Sequence, residues 1–341
     1  MNVTVTSFYM PPVDRIGAGV QMHMLANAYV RLGHTVNVFS PHKLMDLDSI
    51  YSSVQLNVGT RNRLVRWSLE LSRQQYPSGV VHFAGDNHFV PKSKGRAHLR
   101  TFLGSCFAEM FVADKFRDRV RMGYLGVTEL LGQMSADVST VISSDTNRYF
   151  PVKNPVVPCG IDLSAFRSGL PKSKNPSILF VGILDSRKQG RRLLNAFIRD
   201  VRRRVPNAEL WIVRDSTFVD SPGVKVFGSV SQEQLIRLYQ QAWIFCLPSI
   251  YEGFGVPYIE AMACGTPVVA TANPGALEVT DFGKFGVITD IDNLGETLIR
   301  VIGDDNLRSV LAEQCLEHVQ RFDIHEVAKC YIELAYQTGK I

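Results

Sequence analysis

The chain has 341 residues, enough for two domains of ordinary size, each with its own core. Hydrophobic residues make up 45% and charged residues 20%, a globular composition that excludes intrinsic disorder. The net charge of +5 is unevenly placed: residues 1–170 hold 18 Lys and Arg against 12 Asp and Glu, whereas residues 171–341 hold 19 against 20.

In chain order, residues 2–7 alternate as a strand and are followed by a glycine-containing loop and a helical pattern over 20–32. Gly33 stops that helix, and 35–40 (TVNVFS) reads as a second strand. Residues 80–83 and 138–143 are further strands. The pattern restarts after the polar, proline-containing stretch 169–176, which suits an interdomain linker. Strands are predicted at 177–181, 210–213, 243–247 and 267–270, and helices at 191–205, 232–241 and 256–264. Strands alternating with helices indicate parallel α/β sheets, and two such runs predict two doubly wound domains facing each other. The expected domains are 1–170, joined by a C-terminal helix at about 322–341, and 171–321.

No apolar run approaches the roughly 18 to 20 residues that span a bilayer, and the N-terminus lacks a signal-peptide pattern, so a cytoplasmic protein is expected. The six cysteines (106, 159, 246, 264, 315 and 330) form no CxxC pair, which reads as reduced thiols and not as a zinc site. Excess positive charge falls in three clusters: Arg61, Arg63 and Arg66; Lys92, Lys94, Arg96 and Arg100; Lys115, Arg117, Arg119 and Arg121. Such clusters are either a solvated surface or an attraction to an anionic membrane face or a phosphorylated acceptor. Phe107, Met110, Phe111, Phe116 and Met122 beside the third cluster give it an amphipathic character suited to peripheral contact at an inner membrane face.

The most specific segment is 248–270, PSIYEGFGVPYIEAMACGTPVVA. Glu252 and Glu260 stand seven residues apart, with Gly253, Phe254 and Gly255 after the first and a helix opening at Val256. A helix start offers unpaired N–H donors and about half a positive charge, which suits a diphosphate. Carboxylates on either side suit vicinal hydroxyls: Glu252 those of a sugar, Glu260 those of a ribose. Without the surrounding glycines, the pair would be a helix-surface residue and a dipole partner.

This segment resembles the E-x7-E signature of glycosyltransferase family four, of the bacterial polysaccharide and glycoconjugate type. The resemblance covers nearly the whole chain. Val157-Pro158-Cys159-Gly160-Ile161-Asp162 with Phe166, then 178–184 with Arg187, Lys188 and Gly190, then 226–230, and finally Arg321-Phe322 with the last helix resemble successive family segments. It implies the GT-B fold, two Rossmann-like domains across a cleft, with the last helix crossing back to the first domain. It also implies a retaining, metal-independent hexosyl transfer from a nucleoside-diphosphate sugar, UDP-glucose or a similar UDP-hexose, to a saccharide or lipid-linked acceptor, with no cofactor and no nucleic acid. Carried over, Glu252 touches the donor sugar and Glu260 the ribose, while Lys188 and Arg187 hold the diphosphate and neutralise charge on the departing nucleotide. Gly17 and Gly19 form the first-domain glycine loop, and Val230 lies in the loop that holds the base. The Gly253–Val256 amides meet phosphate.

Two positions depart from the family. Ile183 stands where an arginine is usual, a loss that Arg187 or Arg191 could cover, and Leu103 precedes Gly104 where a histidine is usual. His88 therefore becomes the candidate polar contact for the donor sugar. The triplets Asp46-Leu47-Asp48 and Asp290-Ile291-Asp292 lie far from any glycine loop and read as surface acids. The alternatives are a nucleotide-sugar epimerase on the same fold and a non-catalytic nucleotide-sugar binding subunit. A dehydrogenase is excluded by the lack of G-x-G-x-x-G in a strand-to-helix turn with an acid some 20 residues on.

Overall fold

A computed structural model describes residues 1–11, 17–44, 49–59, 63–85, 87–113, 115–215 and 219–341. Arg61 of the first basic cluster and the triplet Asp46-Leu47-Asp48 lie outside the described residues. The chain divides into two units, Met1–Gly160 with Phe322–Ile341, and Ile161–Arg321.

The first unit runs β1 (Asn2–Thr6), α1 (Gly17–Arg31), β2 (Thr35–Ser40), β3 (Ser52–Gln55), α2 (Arg63–Arg73), β4 (Gly79–Phe83), β5 (Arg96–Phe102), α3 (Cys106–Val112), α4 (Phe116–Ser135) and β6 (Val138–Val141). Its six parallel strands are ordered β3-β2-β1-β4-β5-β6. Strand β1 alternates in sequence (NVTVT) yet is buried on both faces from Val3 onward, as β4 (GVVHF) is throughout, because helices cover both faces of a parallel sheet. The second unit runs β7 (Ser177–Val181), α5 (Gly190–Ala196), α6 (Arg202–Arg204), β8 (Glu209–Val213), β9 (Val224–Gly228), α7 (Gln232–Gln241), β10 (Ile244–Leu247), α8 (Val256–Ala263), β11 (Val268–Thr271), α9 (Pro274–Val279), β12 (Val287–Thr289), α10 (Leu294–Gly303) and α11 (Asp305–His318). Its order is β12-β11-β10-β7-β8-β9, again parallel. The protein is therefore α/β with two Rossmann-like domains. In each, strand order reverses at one place, between β1 and β4 and between β7 and β10, and ligands of open α/β sheets bind outside the carboxyl ends at that place.

The last helix, α12 (Ile324–Tyr336), belongs to the first unit and packs on α1 and β5 through Ile324, Val327, Ala328, Tyr331 and Ile332. Gly160 lets it approach: a Cβ there would lie 2.8 Å from Ile324. The Gln21 amide clamps the same glycine, Nε2 donating to its carbonyl (2.9 Å) and Oε1 accepting from its N–H (3.1 Å).

Three expectations need correction. The first domain ends at Gly160 rather than at residue 170, because residues 161–170 pack on the second unit: Phe166 stacks edge-on with Tyr239 and Gln240 donates to the Arg167 carbonyl. The helix expected over 191–205 is continuous over residues 190–204 but is not α-helical throughout, passing through a π-helical stretch, Phe197–Val201, between α5 and α6. The second basic cluster is solvated only in part: Lys92 and Lys94 are exposed and Arg96 half-buried. It conceals β5, where Arg100 is buried, donates to Asn87 Oδ1 (2.9 Å) and lies over the Phe102 ring.

Candidate functional site

The signature residues converge at the β7/β10 reversal of the second sheet. Strand β7 delivers Gly182–Gln189 to that edge, and β10 delivers Pro248–Gly255. The two loops are tied backbone to backbone, Ile250 N–H donating to the Arg187 carbonyl (2.9 Å). Ser249 Oγ reaches the same carbonyl at 3.3 Å and donates to Glu252 Oε1 at 2.9 Å. From the neighbouring strand, Thr271 Oγ1 and Asn273 Nδ2 both donate to the Ser249 carbonyl. The loop carrying Glu252 is thus held from both flanks.

Glu252 is buried, and its Oε2 lies 3.4 Å from Arg187 Nη1. Arg187 also donates to the Tyr251 carbonyl, so its guanidinium braces this loop. Lys188 runs inward instead. Its stem crosses Gly182, where a Cβ would sit 2.5 Å from Lys188 Cδ, and its Nζ donates to the Val181 carbonyl (3.0 Å). Burial lowers the Lys188 pKa; Glu252 and Glu260 push it back up, and Arg187 and Arg214 push it down. The ammonium therefore lies within electrostatic reach of both carboxylates.

Glu260 projects from α8 and accepts from Tyr239 Oη on α7 at 2.9 Å. Burial raises its pKa, opposed by the Tyr239 hydrogen bond and by the charges of Arg214 and Lys188. Gly255 occupies the N-cap of α8 at φ 91°, a left-handed conformation natural to glycine, and no side chain caps the helix. Pro257 carries no N–H and Tyr258 N–H donates to the Gly255 carbonyl (2.9 Å), so among the described residues Val256 N–H is the first-turn donor left for an external acceptor. Phe254 is buried beneath this turn and Gly253 half-buried beside it. Val230, half-buried, sits between β9 and the capping box that Ser231 and Gln234 form at α7.

Of the two arginines offered as cover for Ile183, Arg187 is engaged as described and Arg191 is paired with Asp185 (2.5 Å). Ile183 itself is exposed. Asp290 and Asp292 are exposed, and Asp292 faces Arg192 at 3.9 Å. Sequence reading missed Tyr239, Arg214 and Asp215. The last is buried at the end of β8, where it accepts the Leu184 N–H at 2.6 Å.

In the first unit, Gly17 and Gly19 open α1 after β1, and His88 lies in the loop leaving β4, so both follow the strands that flank the β1/β4 reversal. Among the described residues both His88 ring nitrogens are buried without a hydrogen-bond partner, and burial together with Arg100 lowers its pKa. Leu103 packs against the first-domain core.

Residues 175–304 match the family model described as "Glycosyl transferases group 1". The second domain is a group 1 glycosyl transferase domain. Over 199 residues the chain is 28% identical to phosphatidyl-myo-inositol mannosyltransferase of Mycolicibacterium smegmatis, covering 53% of this chain and 51% of that one. The chain thus spans about half the length of that curated relative. Among solved structures, sucrose-phosphate synthase from Thermosynechococcus elongatus superposes with a TM-score of 0.79 at 21% identity, over 99% of this chain and 98% of that one. Anabaena HepE in complex with UDP-glucose gives 0.76 at 15%, over 99% and 100%. These likenesses establish the fold that carries the glycosyl transferase domain. In that domain, Lys188, Arg187, Glu252 and Glu260 occupy one sheet edge. Among the described residues no group of three or more His, Cys, Asp or Glu is placed to hold a metal.

Proposed function

We propose that the protein is a retaining glycosyltransferase that moves a hexose from a nucleoside-diphosphate sugar, UDP-glucose or a similar UDP-hexose, to a saccharide or lipid-linked acceptor. The observation that carries this reading is the grouping of half-buried Lys188 with Glu252 and Glu260 beside the uncapped start of α8. Glu260 accepts from the ribose hydroxyls, the Val256 amide and Lys188 meet the diphosphate, and Glu252 accepts from the sugar. As the bond to the anomeric carbon breaks, negative charge grows on the β-phosphate, and a desolvated ammonium stabilises that charge more than water would. Lys188 fills the role a divalent cation would have, so no metal is required. The UDP-glucose in the HepE complex supports the donor, and the mannosyltransferase relative supports a hexose.

Incubation with UDP-glucose, GDP-mannose and related donors, with product nucleotide and sugar followed by chromatography, tests the proposal. Release of nucleoside diphosphate is expected with one of them. A changed sugar without release would indicate an epimerase, and neither event a binding subunit.

The acceptor side is proposed to meet an anionic membrane. Phe116, Val120, Tyr124, Val127, Leu131 and Met134 form one exposed stripe along α4, with Lys115, Arg117, Arg119 and Arg121 at its start. Apolar residues at helical spacing beside arginines suit the headgroup region. Phe107 and Met110 are not part of this face: Phe107 packs on Gly126 and Met110 on Gly123, joining α3 to α4. No described helix is long and apolar enough to cross a membrane.

A further inference from the structure

Arg214 is the first residue after β8, the strand next to β7, and it carries φ 69°. A side chain in that left-handed region is strained relative to glycine. The strain is not repaid by any contact of the guanidinium: Arg214 is exposed, and among the described residues its side chain makes no hydrogen bond or ion pair. Only its backbone is held, N–H donating to the Gly228 carbonyl at 2.7 Å. Each other arginine near this edge has a carboxylate: Arg187 has Glu252, Arg191 has Asp185 and Arg192 has Asp292.

The residues on either side of Arg214 are tied to the loop that carries Lys188: Gly182 N–H donates to the Val213 carbonyl (2.9 Å) and Leu184 N–H to Asp215 (2.6 Å), so the unpartnered charge stands at this edge. It is felt at Lys188, at Glu260 and at Tyr239. An arginine held in a left-handed backbone at this edge, within electrostatic reach of an ammonium and a carboxylate, is placed to receive an anion. We propose that Arg214 is a donor-binding residue whose guanidinium engages the diphosphate of the nucleotide beside Lys188. It would thereby supply the arginine that Ile183 lacks and that Arg191, tied to Asp185, does not provide. This rests on the nucleotide-sugar reading of the same site. The guanidinium fork offers two parallel donors to phosphate oxygens, which an ammonium at this place would not.

The full-length protein is titrated calorimetrically with UDP, GDP and ADP, and the tightest is followed by its monophosphate and nucleoside. Arg214→Gly should weaken the diphosphate about ten- to a hundredfold, the scale of a charge-assisted hydrogen bond. Nucleoside affinity should stay unchanged, and Tm should hold or rise because glycine relieves the left-handed backbone. Arg214→Lys should recover part of the diphosphate affinity. Unchanged diphosphate affinity in Arg214→Gly, or equal losses for nucleoside and diphosphate, would overturn the assignment. Failure of the unsubstituted protein to bind any of the three diphosphates would instead defeat the nucleotide-sugar reading, and this inference with it.

Discussion

Tyr239 on α7 donates a 2.9 Å hydrogen bond to Glu260 on α8, and both belong to the second domain's core edge. The phenol holds one carboxylate oxygen in place, and the proposed function assigns the carboxylate to a ribose. Because burial alone raises the Glu260 pKa, removing this donor should raise it further. Tyr239→Phe is therefore expected to make nucleotide binding more acid-sensitive. The affinity ratio between pH 7.5 and 5.5, measured by calorimetry, should exceed that of the parent protein.

Glu252 and Glu260 should fail differently. Glu260→Ala is expected to weaken nucleoside diphosphate binding by about 1.5–3 kcal/mol, the range for a hydrogen bond to a charged group. Glu252→Ala should leave that affinity nearly intact while cutting turnover strongly. Equal losses of nucleotide affinity would refute the division between sugar and ribose.

Lys188→Ala should lower the transfer rate by roughly two to three orders of magnitude, the loss seen on removing a preorganised charge-stabilising donor. EDTA should leave the rate unchanged. Loss on chelation with rescue by Mg²⁺ or Mn²⁺ would contradict the proposed role of the lysine.

Acid should destabilise the first domain. Burial depresses His82 to about 3 and His98 to about 4, both from 6.5. His82 is held neutral between Tyr29 Oη (2.9 Å) and Thr101 Oγ1 (2.7 Å). Folded pKa values below the unfolded ones mean that the unfolded chain binds more protons. The stabilisation is full above about pH 6.5 and falls away as pH drops towards 4, by up to about 1.4 kcal/mol per pH unit for each histidine. Calorimetric unfolding at pH 7.5, 6 and 5 should show this decline, and His82→Gln should flatten it.

Membrane docking is expected to need the α4 stripe as well as its arginines. Sedimentation with anionic vesicles should exceed that with neutral ones and should weaken in 1 M salt, where the Debye length shrinks to about 3 Å. Phe116→Ser with Met134→Ser should abolish it without affecting nucleotide binding. Equal sedimentation on both vesicle types, or none, would reduce the charge imbalance to a solubility feature.

Local pattern alone determined the alternation of strands and helices, several strand limits such as Thr35–Ser40 and Ser177–Val181, and the placing of Glu252 and Glu260 around a helix start. Those features depend on neighbours within one turn or one strand, which is the range over which periodicity and capping act. Strand β5 escaped because Arg96, His98 and Arg100 interrupt any apolar pattern: Arg100 is nonetheless buried, donating to Asn87 Oδ1 and lying over the Phe102 ring. The exposed stripe of α4 was legible only in part, since burial decided that Phe107 and Met110 join two helices while Phe116 and Met134 face outward. Tyr239 and Arg214 were invisible for a related reason. Nothing near Tyr239 or Arg214 in the chain marks either residue, and only strand order brings the end of β8 and the face of α7 to the edge where β7 and β10 part. A backbone angle and a missing partner, both tertiary quantities, singled out Arg214.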